Sequence, residues 1–198
     1  MQSFLYFFVL LQSGNYTIYP SKTSRNNTMT IKIHDNDLRN AAQEGIDAFL
    51  ELIILRTKEA AGGELNADNM QKLSSQQITL LGYAALREEL MDGGFIQLIY
   101  NGWGPFFFNN PFDFAIKQWG AVDLCRLMRR VKKVYQKRHE EIEHEMNDEE
   151  FMALYEKMPE FDDFDDEFVS NEEQWTETIA QYVDGHLLEF IEIETSQE

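Results

Sequence analysis

The sequence predicts an all-α protein, a single helical domain of about six to eight helices, on three observations. Apolar residues recur three and four apart along most of the chain from Asp35 onward. Residues that start and stop helices bracket those runs. No alternating strand pattern of useful length interrupts them. The length of 198 residues suits one domain with a sizeable core, and 43% hydrophobic content is too apolar for a chain disordered throughout.

The first 28 residues stand apart. Phe4 to Leu11 is an apolar run, well short of the ~20 residues a membrane-spanning helix needs. It could be the core of a secretory signal, but no Lys or Arg precedes it and no small-x-small cleavage site follows. Gln12 to Asn27 is rich in Ser, Thr, Asn and Tyr and reads as coil. Residues 1–28 are therefore expected to be a disordered extension or the product of a mis-called start. Residues 29–194 are expected to form the helical domain.

Asp35 or Asn36 can cap a first helix whose apolar positions Leu38, Ala42, Ile46, Phe49, Leu50, Ile53 and Ile54 share one face, ending before Gly62-Gly63. Ser74 with Gln77 forms a capping-box pattern for a second helix, which stops at Gly93-Gly94. A short helix, Phe95 to Tyr100, follows. Gly102 to Pro111 reads as an aromatic loop. Asn110-Pro111 is a cap followed by a proline suited to a first helical position, so Phe112 to Trp119 should be helical. A long helix is expected from about Ala121 to Met146, and Asn147 can cap another, Asp148 to Lys157, before Pro159. Phe161, Phe164 and Phe168 suggest a further helical turn or two. A last helix should run from about Glu172 to Phe190, with Trp175, Ile179, Tyr182, Val183 and Leu187 inward.

Charge divides the chain unevenly. Its net charge is −18, yet residues 1–139 carry +3 and residues 140–198 carry −21, with Lys157 the only Lys or Arg in that last part. Such a balance argues against direct nucleic-acid binding through a basic surface, because phosphates would be repelled. Cys125 is the only cysteine, so there is no intrachain disulfide and no cysteine-cluster zinc site. A reducing, cytoplasmic setting fits. From Glu140 to Glu150 there are seven acids in eleven residues. As one helix that stretch would be ~16 Å long, about one charge per 2.4 Å, against about one per 1.7 Å of duplex axis. Interleaved aromatic residues, Phe151, Tyr155, Phe161, Phe164, Phe168 and Trp175, can bury one face and hold the acids on the other. The helix around residue 140 places bases first and acids last, the reverse of what its dipole favours, by ~0.3–1 kcal/mol per charge.

The stretch from Leu73 to Asn101 resembles the family named after the C-terminal domain of a bacterial DNA-mimic protein. It carries that family's Gly-Gly-Phe, a Gln two residues on and an Asn four further: Gly93, Gly94, Phe95, Gln97 and Asn101. The likeness continues through the aromatic loop, Gly120-Ala121 and the acidic helical tail, over roughly residues 73–191. Leu98 and Ile99 depart from it, standing where aromatic residues are expected. The resemblance implies an all-helical fold and a mimic function. Read from the residues alone, the signature is structural: the glycines end a helix, Phe95 anchors the core, and Gln97 and Asn101 hydrogen-bond backbone at the turn. A small-ligand pocket formed by Gln97, Asn101, Trp103 and Tyr100 is the alternative.

The expected function is a non-enzymatic interaction protein whose acids stand in for phosphates on a basic DNA-binding partner, a transcription regulator or nucleoid protein. The surrogates would be Glu140, Glu141, Glu143, Glu145, Asp148, Glu149 and Glu150, with Asp162, Asp163, Asp165 and Asp166 as a second row. No cofactor, metal or membrane is called for, and a homodimer is left open. An immunity-type inhibitor of a toxin or nuclease would use the same acids; a ligand-binding helical domain would use the signature pocket. His139-Glu140-Glu141-Ile142-Glu143-His144 fails the zinc-protease pattern, because its histidines are five apart rather than four. Glu141 and His144 make one Glu-x-x-His pair where a di-iron bundle needs two. Residues 162–167 lack the glycine of a calcium loop. Cys125, between leucines on a helix, reads as a core thiol.

Overall fold

The computed structural model describes residues 28–194. The reading of residues 1–28 as an extension falls, except at Thr28, outside the described residues. Among those described, ten α-helices and two short 3-10 turns account for nearly all regular structure. The chain is all-α, as its periodicity predicts. Two three-residue strands are the exception: β1 (Lys32–His34) and β2 (Glu192–Glu194) pair in parallel, Ile33 opposite Ile193. Three residues are too few to show an alternating pattern, which is why the sequence did not betray them. No described helix is long and apolar enough to cross a membrane.

The described residues divide into two compact units, one formed by the chain up to Leu81 with the segment from His186 onward, the other by Gly82–Gly185. The first holds the strand pair, α1 (Asp35–Glu44), α2 (Ile46–Ala61), α3 (Ala67–Met70) and the start of α4 (Ser75–Asp92). What periodicity joins into one helix from Asp35 to Ala61 breaks at Gly45, whose φ of +131° is open only to glycine. Leu38, Phe49, Leu50 and Ile53 are buried on the two pieces. The capping box predicted for α4 is present: Gln77 N–H donates to Ser74 Oγ (3.1 Å) and Ser74 N–H to Gln77 Oε1 (2.9 Å). Gln77 also donates through Nε2 to the Phe190 carbonyl (2.8 Å), tying the chain's last described segment to this unit.

In the second unit α4 ends at Asp92 and is followed by α5 (Gly94–Tyr100), α6 (Gly104–Asn109), α7 (Phe112–Gln118), α8 (Val122–Ile142), α9 (Asp148–Lys157) and α10 (Asp162–Gly185). The expected aromatic loop is instead helix α6. Phe106, Phe107 and Phe108 are all buried, and three consecutive buried residues need their backbone groups satisfied, which a helical turn does. Pro111 precedes α7 rather than opening it, and Asn110 donates to the Pro105 carbonyl (3.2 Å) instead of capping. α8 is the hub: Leu124, Leu127, Met128, Val131 and Tyr135 are buried, and it packs on α5, α6, α7 and α10. Cys125 is a buried core thiol, as expected, and burial pushes its pKa up. Phe161 closes a 3-10 turn, Pro159–Phe161, while Phe164, Phe168 and the stretch expected after Glu172 form one helix, α10, because Val169-Ser170-Asn171 contains no breaker and Asn171 donates within the helix to the Glu167 carbonyl (2.7 Å). α10 ends at Gly185 rather than Phe190.

Candidate partner-binding acidic surface

All the acids singled out from sequence lie in the second unit, but not on one continuous helix. α8 ends at Ile142, a fully buried residue, rather than near Met146. Glu140 and Glu141 occupy its last turn, Glu143 and Glu145 lie in the bend that follows, and Asp148, Glu149 and Glu150 form the first turn of α9. The charge spacing expected of an unbroken helix over 140–150 therefore does not apply. The adverse placement against the helix dipole remains for Glu140 and Glu141 alone. The three acids at the start of α9 sit where a helix dipole favours them.

Environment separates the candidates further. Arg138 Nε pairs with Glu141 (2.9 Å), and its Nη1 reaches Glu160 (3.5 Å). Glu143 accepts from the Tyr135 hydroxyl (2.9 Å), and burial together with that bond raises the Tyr135 pKa. Glu150 closes a capping box, accepting from Asn147 N–H (3.0 Å) while Asn147 Oδ1 accepts from Glu150 N–H (3.0 Å). Glu140, Glu145, Asp148, Glu149, Asp162, Asp163 and Asp166 are exposed, and none of them enters an ion pair among the described residues. The basic run of α8 does not cancel them. Arg126 pairs with Asp123, Arg129 with Asp113 and Arg130 with Glu167.

Asp165 departs from the second row. It is half-buried and accepts the Phe95 N–H through Oδ1 (2.9 Å). Burial holds its pKa at about 7, the Phe95 bond opposing and the charges of Asp162 and Asp166 adding to the rise. Beyond it the row continues onto three acids outside the expected surrogates, Glu173, Glu177 and Asp184. Asp162, Asp166, Glu173, Glu177 and Asp184 are exposed and fall within about 60° of one another on a wheel of 100° per residue. The signal was present in the spacing of four, seven, four and seven, and α10 contains no Lys or Arg. The stripe spans ~33 Å, about one charge per 8 Å, less than half the density of one DNA strand at about one per 3.4 Å.

The fold gives each signature residue partners within the protein. Gly94 has φ +75°, and a Cβ there would lie 2.4 Å from Asp165 Oδ2; one on Gly93 would lie 2.2 Å from Gln97 Oε1. Phe95 is fully buried, its ring edge-on to Phe164 at 6.5 Å. Gln97 and Asn101 bond carboxylates rather than turn backbone. Gln97 Nε2 donates to Glu89 (3.1 Å) and Asp92 (2.8 Å), and Asn101 Nδ2 donates to Glu89 (2.9 Å). Tyr100 packs on Phe151, and Trp103 on Phe106 and Phe107. Of the residues of the alternative ligand pocket, Gln97 and Asn101 thus have their side-chain amides bound by the protein's own carboxylates. His139 Nδ1 lies 3.0 Å from the Tyr135 carbonyl and His144 Nδ1 3.1 Å from that of Glu145, so each histidine is held locally.

α10 is held against α4 by polar side chains. Its Glu172, buried, is bound by Arg87 and by the Thr176 hydroxyl (2.7 Å), and Thr176 in turn meets the Tyr83 hydroxyl (2.7 Å). A buried network satisfied at each member fixes α10 on α4.

Comparison with known proteins places this unit in context. Residues 71–186 match a family model described as DMP19-like protein. The chain is also similar to the DNA mimic protein DMP19 of Neisseria meningitidis serogroup B (strain MC58), at 25% identity over 127 residues, 64% of this chain and 77% of the relative.

Proposed function

Since this chain belongs to the DMP19-like protein family, we propose that it is a DNA mimic, a non-catalytic protein that occupies the DNA-binding surface of a basic partner such as a transcription regulator or nucleoid protein in the cytoplasm. The observation that carries this is the set of exposed acids without ion pairs, Glu140, Glu145, Asp148, Glu149, Asp162, Asp163 and Asp166, held on packed helices and the bend between α8 and α9, within the region that matches the family. Glu173, Glu177 and Asp184 extend the set along α10. Glu141, Glu143 and Glu150 contribute charge from positions fixed by Arg138, Tyr135 and Asn147. Asp165 supports the row from behind.

The full chain, immobilised, should retain proteins from a lysate fraction that had first bound duplex DNA, and added duplex DNA should release them. A variant with Glu140, Glu145, Asp148 and Glu149 changed to Gln or Asn should retain far less. Retention that DNA cannot reverse, or that the neutralised variant shares, contradicts the reading.

A further inference from the structure

Three elements converge on the turn Gly93–Phe95. α10 presents Asp165 to the Phe95 N–H, α5 begins there with a Gly94 that leaves no room for a side chain beside Asp165, and α9 sends the Tyr155 hydroxyl to the Gly93 carbonyl (2.9 Å). The groups facing this junction are acidic or neutral. Asp162 and Asp166 flank Asp165 on α10, and Asp92 at the end of α4 acts with Asp165 to raise the Tyr155 pKa, a rise that burial dominates. Arg130 of α8 lies over the Phe164 ring at 5.5 Å, but its ion pair is with Glu167. Among the described residues no Lys or Arg pairs with Asp165.

Building on the mimic reading, we propose that Asp165 is a positioning residue: protonated, it seats the first turn of α10 on the Gly93–Phe95 turn and so fixes where Asp162, Asp163 and Asp166 point, and its ionisation loosens that seat. Burial is the main cost of the negative form, the charges of Asp162 and Asp166 add to it with no cation to offset them, and the Phe95 N–H bond opposes the rise only in part. Once the seat opens, the same carboxyl meets water and titrates as an ordinary aspartate near ~4. The sign follows. The carboxyl of the seated form holds its proton to about pH 7, so its stabilisation is complete below ~4, declines as pH rises from there, and has gone above about 7. The acidic row is then held most firmly under mildly acidic conditions.

The test is hydrogen exchange at the Phe95 amide of the full chain, read as a protection factor so that the intrinsic pH dependence of exchange is removed. In the wild type, protection should fall at least about tenfold from pH 5 to pH 7 and level off above. Asp165→Asn keeps an acceptor for the amide without the titration, and its protection should change by no more than about twofold over that range. Asp166→Asn removes a neighbouring charge that adds to the rise, so its fall should be smaller than the wild type's but still present. A flat wild-type profile, or a fall that persists in Asp165→Asn, overturns the proposal. Direct titration of the Asp165 carboxyl decides the matter without any variant: an ordinary value near ~4 in the folded chain also overturns it. Retention and DNA release of partners test the mimic reading separately, so a flat profile beside intact DNA-reversible retention defeats this inference alone.

Discussion

Asp165 and Asp166 are neighbours of the same residue type, and sequence alone treats them as equivalent; one faces the Phe95 amide and the other faces water. What distinguishes them is a contact to a turn seventy positions away, which no local pattern encodes. The receiving end was partly legible. Gly93-Gly94 ended a helix as expected and Phe95 anchored the core, but the requirement at Gly94 comes from a positive φ together with the approach of Asp165. Gly94→Ala should therefore destabilise the fold by about 1–3 kcal/mol, more than a glycine replaced in an ordinary helix turn. Urea denaturation checks this; a loss within about 0.5 kcal/mol would place Gly94 outside the strained, crowded geometry described. Position points Gln97 and Asn101 to the turn backbone, but their partners, Glu89 and Asp92, lie on the preceding helix, which no local pattern reveals.

Elements with strong boundary chemistry were readable at their ends. The Ser74–Gln77 box and the start at Asn147 are in place, and both rest on short-range bonds between residues three apart. Asn147→Ala should cost about 1 kcal/mol, since it removes the acceptor for Glu150 N–H at the head of α9. A thermal melt that does not move would show the box to be dispensable. Elements whose ends depend on tertiary burial were not readable. α6 is helical because three phenylalanines are buried together, and α8 stops at Ile142 because that residue is the last one buried. That early stop matters most for the candidate surface. It turns a supposed single acidic rod into a helix end, a bend and a helix start, and it shifts weight to α10, where the longest acidic stripe lies.

At the scale of the whole molecule, the split between a body near neutrality and an acidic last third was plain in the sequence. Whether the arginines and lysines of α8 would neutralise that last third was not, because ion pairing depends on which helices meet. In the structure Arg126, Arg129 and Arg130 pair with Asp123, Asp113 and Glu167, Arg138 pairs with Glu141 and Glu160, and among the described residues no other candidate acid enters an ion pair. A surface of this kind attracts a cationic protein through charges that remain in water, and such attraction is screened on a length of about 8–10 Å at ordinary ionic strength. The most direct measurement is the affinity of the full chain for a partner it retains, followed from about 50 to 200 mM salt. The account predicts a fall of at least about tenfold over that range, and a much shallower fall for the variant neutralised at Glu140, Glu145, Asp148 and Glu149. An affinity that stays level across the range, in a complex that duplex DNA nonetheless cannot enter, would contradict it.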